Sequence, residues 1–166
     1  MEAKHPRYSA RTVGLWEGVV TRIIAAALVT VALGLLAANA WPSTVRVIDG
    51  DTIAIEAVVY RLEGVDAPEL LQAEGRAARA ALVELIGPER PRCAATGARS
   101  YERRVAVCYV RGIDLGAAMV VSGWAFVDPD WRYTTRYLAL QSDARGRGVG
   151  AWAGEPVMPW DWRRSR

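Results

Sequence analysis

Three short β-branched runs crowd into residues 44–65, and that spacing leaves the chain little choice but a small, tightly connected sheet. Residues 44–48 and 52–56 flank Asp49-Gly50, a dipeptide suited to tight turns and to positive φ, which predicts a hairpin. Residues 58–65 add a third strand, with Gly64 as a bulge or point of close approach, and Pro68 stops regular pairing.

Helical spacing takes over next. Across residues 72–86 apolar side chains recur at Ala78, Leu82, Leu85 and Ile86, one buried helical face, and Gly87-Pro88 ends it. Residues 92–94 form a short strand candidate before a Thr96-Gly97 turn, and 103–110 a clearer strand in which Val105, Val107 and Tyr109 alternate. A second helix starts after Asp114 as its N-cap, turns Leu115, Ala118 and Met119 inward, and stops at Gly123. Residues 124–127 read as one more strand and 134–145 as a third helix. The tail, with Trp152, Trp160 and Trp162 among prolines, is expected to fold back as an irregular cap. These elements predict an α+β domain, a small twisted barrel with helices packed against it.

Residues 23–45 carry no charge and follow a segment bearing Lys4, Arg7, Arg11 and Arg22. That pattern keeps residues 1–22 in the cytoplasm and sends the following hydrophobic helix across a membrane. Two fates fit. Ala38-Asn39-Ala40 has the small-x-small form of a signal-peptidase site, giving a secreted or periplasmic product cut before Trp41. Left uncleaved, residues 23–40 are a membrane anchor. Either way the domain, residues 41–152, and its Trp- and Arg-rich tail, residues 153–166, lie outside the cytoplasm. Cys93 and Cys108 then meet an oxidising compartment, where they can pair or stay as two separately buried thiols.

The leader holds four of the 21 Lys and Arg and two of the 18 Asp and Glu, leaving 17 against 16 and a net charge of +1. No uniform basic field exists, so a polyanion must be recognised through a local patch. The only histidine, His5, and the only lysine, Lys4, lie in the leader. A Ser-His-Asp triad, a His-rich zinc site and a P-loop lysine are therefore excluded from the domain.

The stretch from Asp49 to Glu69, D-G-D-T-I-A-I-E-A-V-V-Y-R-L-E-G-V-D-A-P-E, supplies the candidate chemistry. Asp51, Asp66 and Glu69 can hold a hard cation through oxygen ligands and activate a water, while Arg61 brings a planar fork that fits phosphate oxygens. Each has a plainer reading alone, as a hairpin turn, a capping turn or a surface charge. Strand, bulge and turn can bring all four to one end of a sheet, and the set points to phosphate chemistry.

The strings D-G-D-T, R-L-x-G-V-D-A-P-E and Y-x-R, in this order, resemble the staphylococcal nuclease (thermonuclease) family. The similarity continues through the D-L helix start, S-G-W-A and the terminal G-x-W, over residues 45–152. The resemblance implies a five-stranded OB barrel with three helices, and calcium-dependent hydrolysis of phosphodiesters in DNA or RNA. By it, Asp51, Asp66 and the backbone carbonyl of Ala67 are Ca²⁺ ligands, and Glu69 is the general base. Arg61 and Arg103 hold the phosphate and stabilise the transition state, and Tyr101 lies near the bound nucleotide. These three carboxylates and two arginines sum to −1, so the metal-free site repels a phosphodiester and one Ca²⁺ makes it +1.

Two positions depart from the family pattern. D-x-Y-G-R stands here as Arg99-Ser100-Tyr101-Glu102-Arg103, a glutamate beside a catalytic arginine. Turned inward, Glu102 would cancel the remaining charge; the expected placement is outward, as a strand charge. Asp128-Pro129-Asp130 stands near where tyrosines are expected, and Trp131 and Tyr133 either stack a base there or pack on the third helix. The expected state is a monomer acting on nucleic acid, with the membrane as a second partner only through an uncleaved leader. Competing functions are a catalytically inactive OB-fold module that binds nucleic acid, and an anchored interaction domain working through the tryptophan-rich tail. The complete set of Asp51, Arg61, Asp66, Glu69 and Arg103 favours the enzyme.

Overall fold

The computed structural model describes residues 44–130 and 135–166. The leader with its expected hydrophobic helix lies outside the described residues, as do Trp131 and Tyr133. Among the described residues no helix is long and apolar enough to cross a membrane.

The first hairpin forms as its β-branched runs require, β1 (Val45–Val47) antiparallel to β2 (Thr52–Ile55) with Val45 opposite Ile55. Its Asp49-Gly50 connection works differently from expectation. Gly50 is not in the left-handed region. It is needed for space, because a Cβ there would stand 2.6 Å from the Ala67 Cβ and 2.9 Å from the Ala78 Cβ. This close packing sets the Asp51 loop directly against the Ala67 loop.

Strand β3 (Val58–Leu62) pairs with β2 and places Arg61 opposite Thr52. The run expected to continue to Val65 breaks instead at Gly64, whose φ is 72°. The chain restarts as β4 (Val65–Asp66), leaves the first sheet and pairs antiparallel with β8 (Phe126–Val127). Strand β5 (Arg92–Ser100) is much longer than the expected 92–94 because its pairing with β6 (Arg103–Val110) survives a register slip between Ala95 and Arg99. Thr96-Gly97 is thus a bulge, with Gly97 at φ 87°, and the hairpin turn is Tyr101-Glu102. Cys93 and Cys108 face each other across this pair and are joined as a disulfide. Strand β6 also runs parallel to β3, giving the order β1-β2-β3-β6-β5, with β7 (Ile113–Asp114) folded onto β6.

Helices α1 (Gly75–Ile86), α2 (Leu115–Val121) and α3 (Thr135–Arg147) complete an α+β fold. Helix α1 starts later than the 72–86 periodicity suggests because the preceding residues form turns, Gln72 N–H donating to the Glu69 carbonyl at 2.8 Å and Gly75 N–H to the Gln72 carbonyl at 3.2 Å. Gly75 is required there: a Cβ would lie 1.8 Å from the Glu69 carbonyl oxygen. Asp114 caps α2 through the Ala117 N–H at 3.2 Å and accepts from the Tyr137 hydroxyl at 2.9 Å, fastening α3 to the same point. Ile53, Leu62, Leu82, Leu115, Met119 and Phe126 are fully buried between these elements. Each such side chain contributes about 1.5–3 kcal/mol.

The tail is more regular than its prolines suggest. A 3₁₀ turn (Gly150–Ala153) and helix α4 (Pro159–Arg164) pack onto β8. Trp152 and Trp160 both meet Phe126 edge-on, at 5.0 and 6.5 Å between ring centres. Phe126 is the ladder partner of Asp66, so the tail docks beside a predicted site residue.

Candidate active site

Three loops and the tail converge on one cavity of about 370 Å³. The β1–β2 loop brings Asp49 and Asp51, the segment after β4 brings Ala67 and Glu69, and the β5–β6 turn brings Ser100, Tyr101 and Arg103. Of the sequence-predicted set, Asp51, Arg61, Ala67, Glu69, Tyr101 and Arg103 line this cavity. Asp66 lies behind them, 1 % exposed, because arginines cover both of its oxygens.

Arg61 sits among carboxylates. Its Nη1 donates to both Asp51 oxygens at 2.9 Å, and its Nη2 donates to Asp66 Oδ1 at 2.9 Å and to the Val65 carbonyl at 3.3 Å. Thr52 Oγ1 donates to Asp51 Oδ1 at 2.7 Å, and the Ala67 N–H donates to Asp51 Oδ2 at 3.0 Å. The Ala67 amide, rather than the expected carbonyl, engages the acidic cluster here. Burial lowers the Arg61 guanidinium, but the charges of Asp51 and Asp66 outweigh it and hold the group above its ordinary value. Arg61 is a permanent cation with its charge already spoken for.

Arg103 is held by neutral acceptors. Nη1 donates to Thr52 Oγ1 at 3.1 Å, Nη2 to Ser100 Oγ at 2.9 Å and Nε to the Ser100 carbonyl at 3.3 Å. Its positive charge therefore remains available to an anion. Glu102 points outward with its side chain fully exposed and lies 3.6 Å from Arg99, so it leaves that charge intact. Tyr101 is 91 % exposed at φ 55°, on the tip of the turn.

Four participants lay outside the sequence-derived set. Arg163, from α4, donates to Asp66 Oδ2 at 2.6 Å, to Asp66 Oδ1 at 3.2 Å and to Glu69 Oε1 at 2.8 Å. Gln72 accepts from the Glu69 N–H at 2.7 Å and donates to the Val157 carbonyl at 3.0 Å, tying the Glu69 turn to the tail. Asp49 lines the cavity, and burial, then the charge of Asp51, pushes its carboxyl up to about 6. Asp128 stands 3.8 Å from Arg61, its carboxyl raised chiefly by burial. Asp49 was legible as the first residue of D-G-D. The others carry no local signal.

With these included, five carboxylates face three arginines, and the cluster is −2 when all are ionised. The surplus fits a hard cation, since the side-chain donors of Asp51 and Asp66 are all oxygens. One cation is already held there, the Arg163 guanidinium. Among the described residues no three acidic, histidine or cysteine side chains converge closely enough to hold a metal in this arrangement. The physical reason is that Arg61 and Arg163 stand between the carboxylates.

The family model described as staphylococcal nuclease homologue matches residues 59–154. The chain belongs to this family. An uncharacterized endonuclease of Haemophilus influenzae is 32% identical over 126 residues, covering 72% of this chain and 71% of that protein. Protein ParB of Escherichia coli is 32% identical over 158 residues, 83% of this chain and 89% of its own length. A probable staphylococcal-like nuclease of rice, CAN2, is 32% identical over 107 residues, 64% of this chain, and the chain spans only 29% of that longer protein. Membership of the staphylococcal nuclease family makes the chain a hydrolase of the nuclease class. The family-model match ends at residue 154, before Arg163.

Proposed function

We propose that this domain is an exported, calcium-dependent nuclease that hydrolyses DNA or RNA, built on a five-stranded OB barrel. The strand order β1-β2-β3-β6-β5, with its parallel β3–β6 pair, supports the barrel reading. The observation that carries the function is that Glu69, Asp51 and Arg103 line one cavity, with Arg103 free of any carboxylate partner among the described residues.

When bound, Ca²⁺ would be held by Asp51, Asp66 and the Ala67 carbonyl and would offset negative charge on a phosphate oxygen. Glu69 takes a proton from the attacking water. The water oxygen forms the new bond to phosphorus as the ester P–O bond breaks, and the departing oxygen leaves with a proton from solvent. Arg103 donates to the oxygens on which charge grows, preorganised by Ser100 and Thr52. Arg61 holds Asp51 and Asp66 aligned through its hydrogen bonds, and reaches the same phosphate from the acidic side. Tyr101 offers an aromatic face at the cavity rim, where a base can stack.

Glu69→Gln should lower kcat on DNA or RNA by roughly 10²–10⁴-fold while nucleotide binding is kept. The assay compares calcium with chelator. Hydrolysis at the native rate by the variant would remove Glu69 from its role, and hydrolysis unaffected by chelation would remove the cation. Cell fractionation tests export, which a wholly cytoplasmic domain would overturn.

A further inference from the structure

Asp66 and Glu69 are joined by a positive group that the chain itself supplies from 94 to 97 residues away. The Arg163 guanidinium covers both oxygens of Asp66, and Asp66 Oδ1 already accepts from Arg61. That oxygen thus has two donors. On Glu69, Arg163 takes Oε1, one of the two oxygens of the proposed base. The arginine is half-exposed, 43 % at its side chain, while Asp66 is 1 % exposed, so the cation side of the pair can leave without unpacking the core.

The anchor of this arginine is equally local. Helix α4 is short, its Trp160 rests edge-on against Phe126, and the only described polar link from Gln72 to the tail is the Val157 carbonyl. A dication with oxygen ligands and a planar guanidinium compete for the same lone pairs. Exchanging one for the other raises the local charge by one unit and frees Glu69 Oε1.

We propose that Arg163 is a tethered stand-in for the divalent cation: it holds Asp66 and Glu69 together in the unloaded enzyme, and cation binding displaces it and loosens α4. This rests on the calcium reading above. Tail docking and cation binding are then negatively coupled, and by linkage each weakens the other.

The test uses the full chain and measures Ca²⁺ binding by calorimetry, beside amide hydrogen exchange of the tail with and without Ca²⁺. Arg163→Gln should bind Ca²⁺ roughly 10-fold more tightly than the native chain, within the usual range of coupling between two ligands. Arg164→Gln, next to it but paired with Asp161, should leave the affinity unchanged. In the native chain Ca²⁺ should speed exchange in the tail. Equal or weaker affinity in Arg163→Gln, or a tail protected further by Ca²⁺, overturns the proposal and leaves the calcium reading standing. If neither chain binds Ca²⁺, the calcium reading falls and takes this proposal with it.

Discussion

The two arginines assigned to phosphate line one cavity in opposite electrostatic settings. Arg61, on β3, is 13 % exposed and bonded to two buried aspartates; Arg103, at the start of β6, is bonded to a threonine, a serine hydroxyl and a carbonyl. Sequence alone makes them a matched pair. In the folded chain Arg61 is a structural counter-ion that also lines the cavity, whereas Arg103 is an unspent charge. A fork bonded to neutral groups can grip phosphate without first giving up an ion pair.

Stability measurements should separate the two arginines. Arg61→Ala leaves Asp51 without its guanidinium partner, and chemical denaturation should show a loss of about 3–5 kcal/mol together with loss of activity. A loss below about 1 kcal/mol would mean that Arg61 is no more than a surface charge. In the β5–β6 pair that carries Arg103, reduction of Cys93–Cys108 should lower stability by about 3 kcal/mol, read as a fall in Tm with reductant. An unchanged Tm would show that the β5–β6 pairing does not depend on its bridge.

Arg103→Ala should remove only about 1 kcal/mol of stability, yet slow hydrolysis by roughly 10²-fold or more. Should this variant unfold as readily as Arg61→Ala, the contrast between the two arginines collapses. Glu102→Gly is expected to do least: activity equal to or slightly above native, because the side chain points to solvent. A large loss of activity in that variant would place Glu102 inside the chemistry.

Much of the site was readable because its parts are local. Asp51, Arg61, Asp66 and Glu69 fall within one strand-rich stretch, and the hairpin registry that gathers them follows from β-branched runs. What failed to show depends on distant partners. Gly50 looks like a positive-φ turn residue, but its reason is the methyl groups of Ala67 and Ala78, which no dipeptide reveals. Strand β5 was truncated at a Thr-Gly pair because a bulge and a turn share the same glycine chemistry. Arg163 is one arginine among several in a short tail, and it reaches Asp66 through tail packing on Phe126 and the Gln72–Val157 link, which no local pattern reveals.

The β5–β6 pair is fastened at both ends, by the Tyr101-Glu102 turn at one and by the cross-strand sulfurs at the other. Such a pair is a macrocycle. It can flex but cannot fray from an open end, so Ser100 and Arg103 keep their register even when the surrounding domain breathes. The Arg103 charge presented to the cavity is carried on a ring that stays closed until the disulfide is reduced.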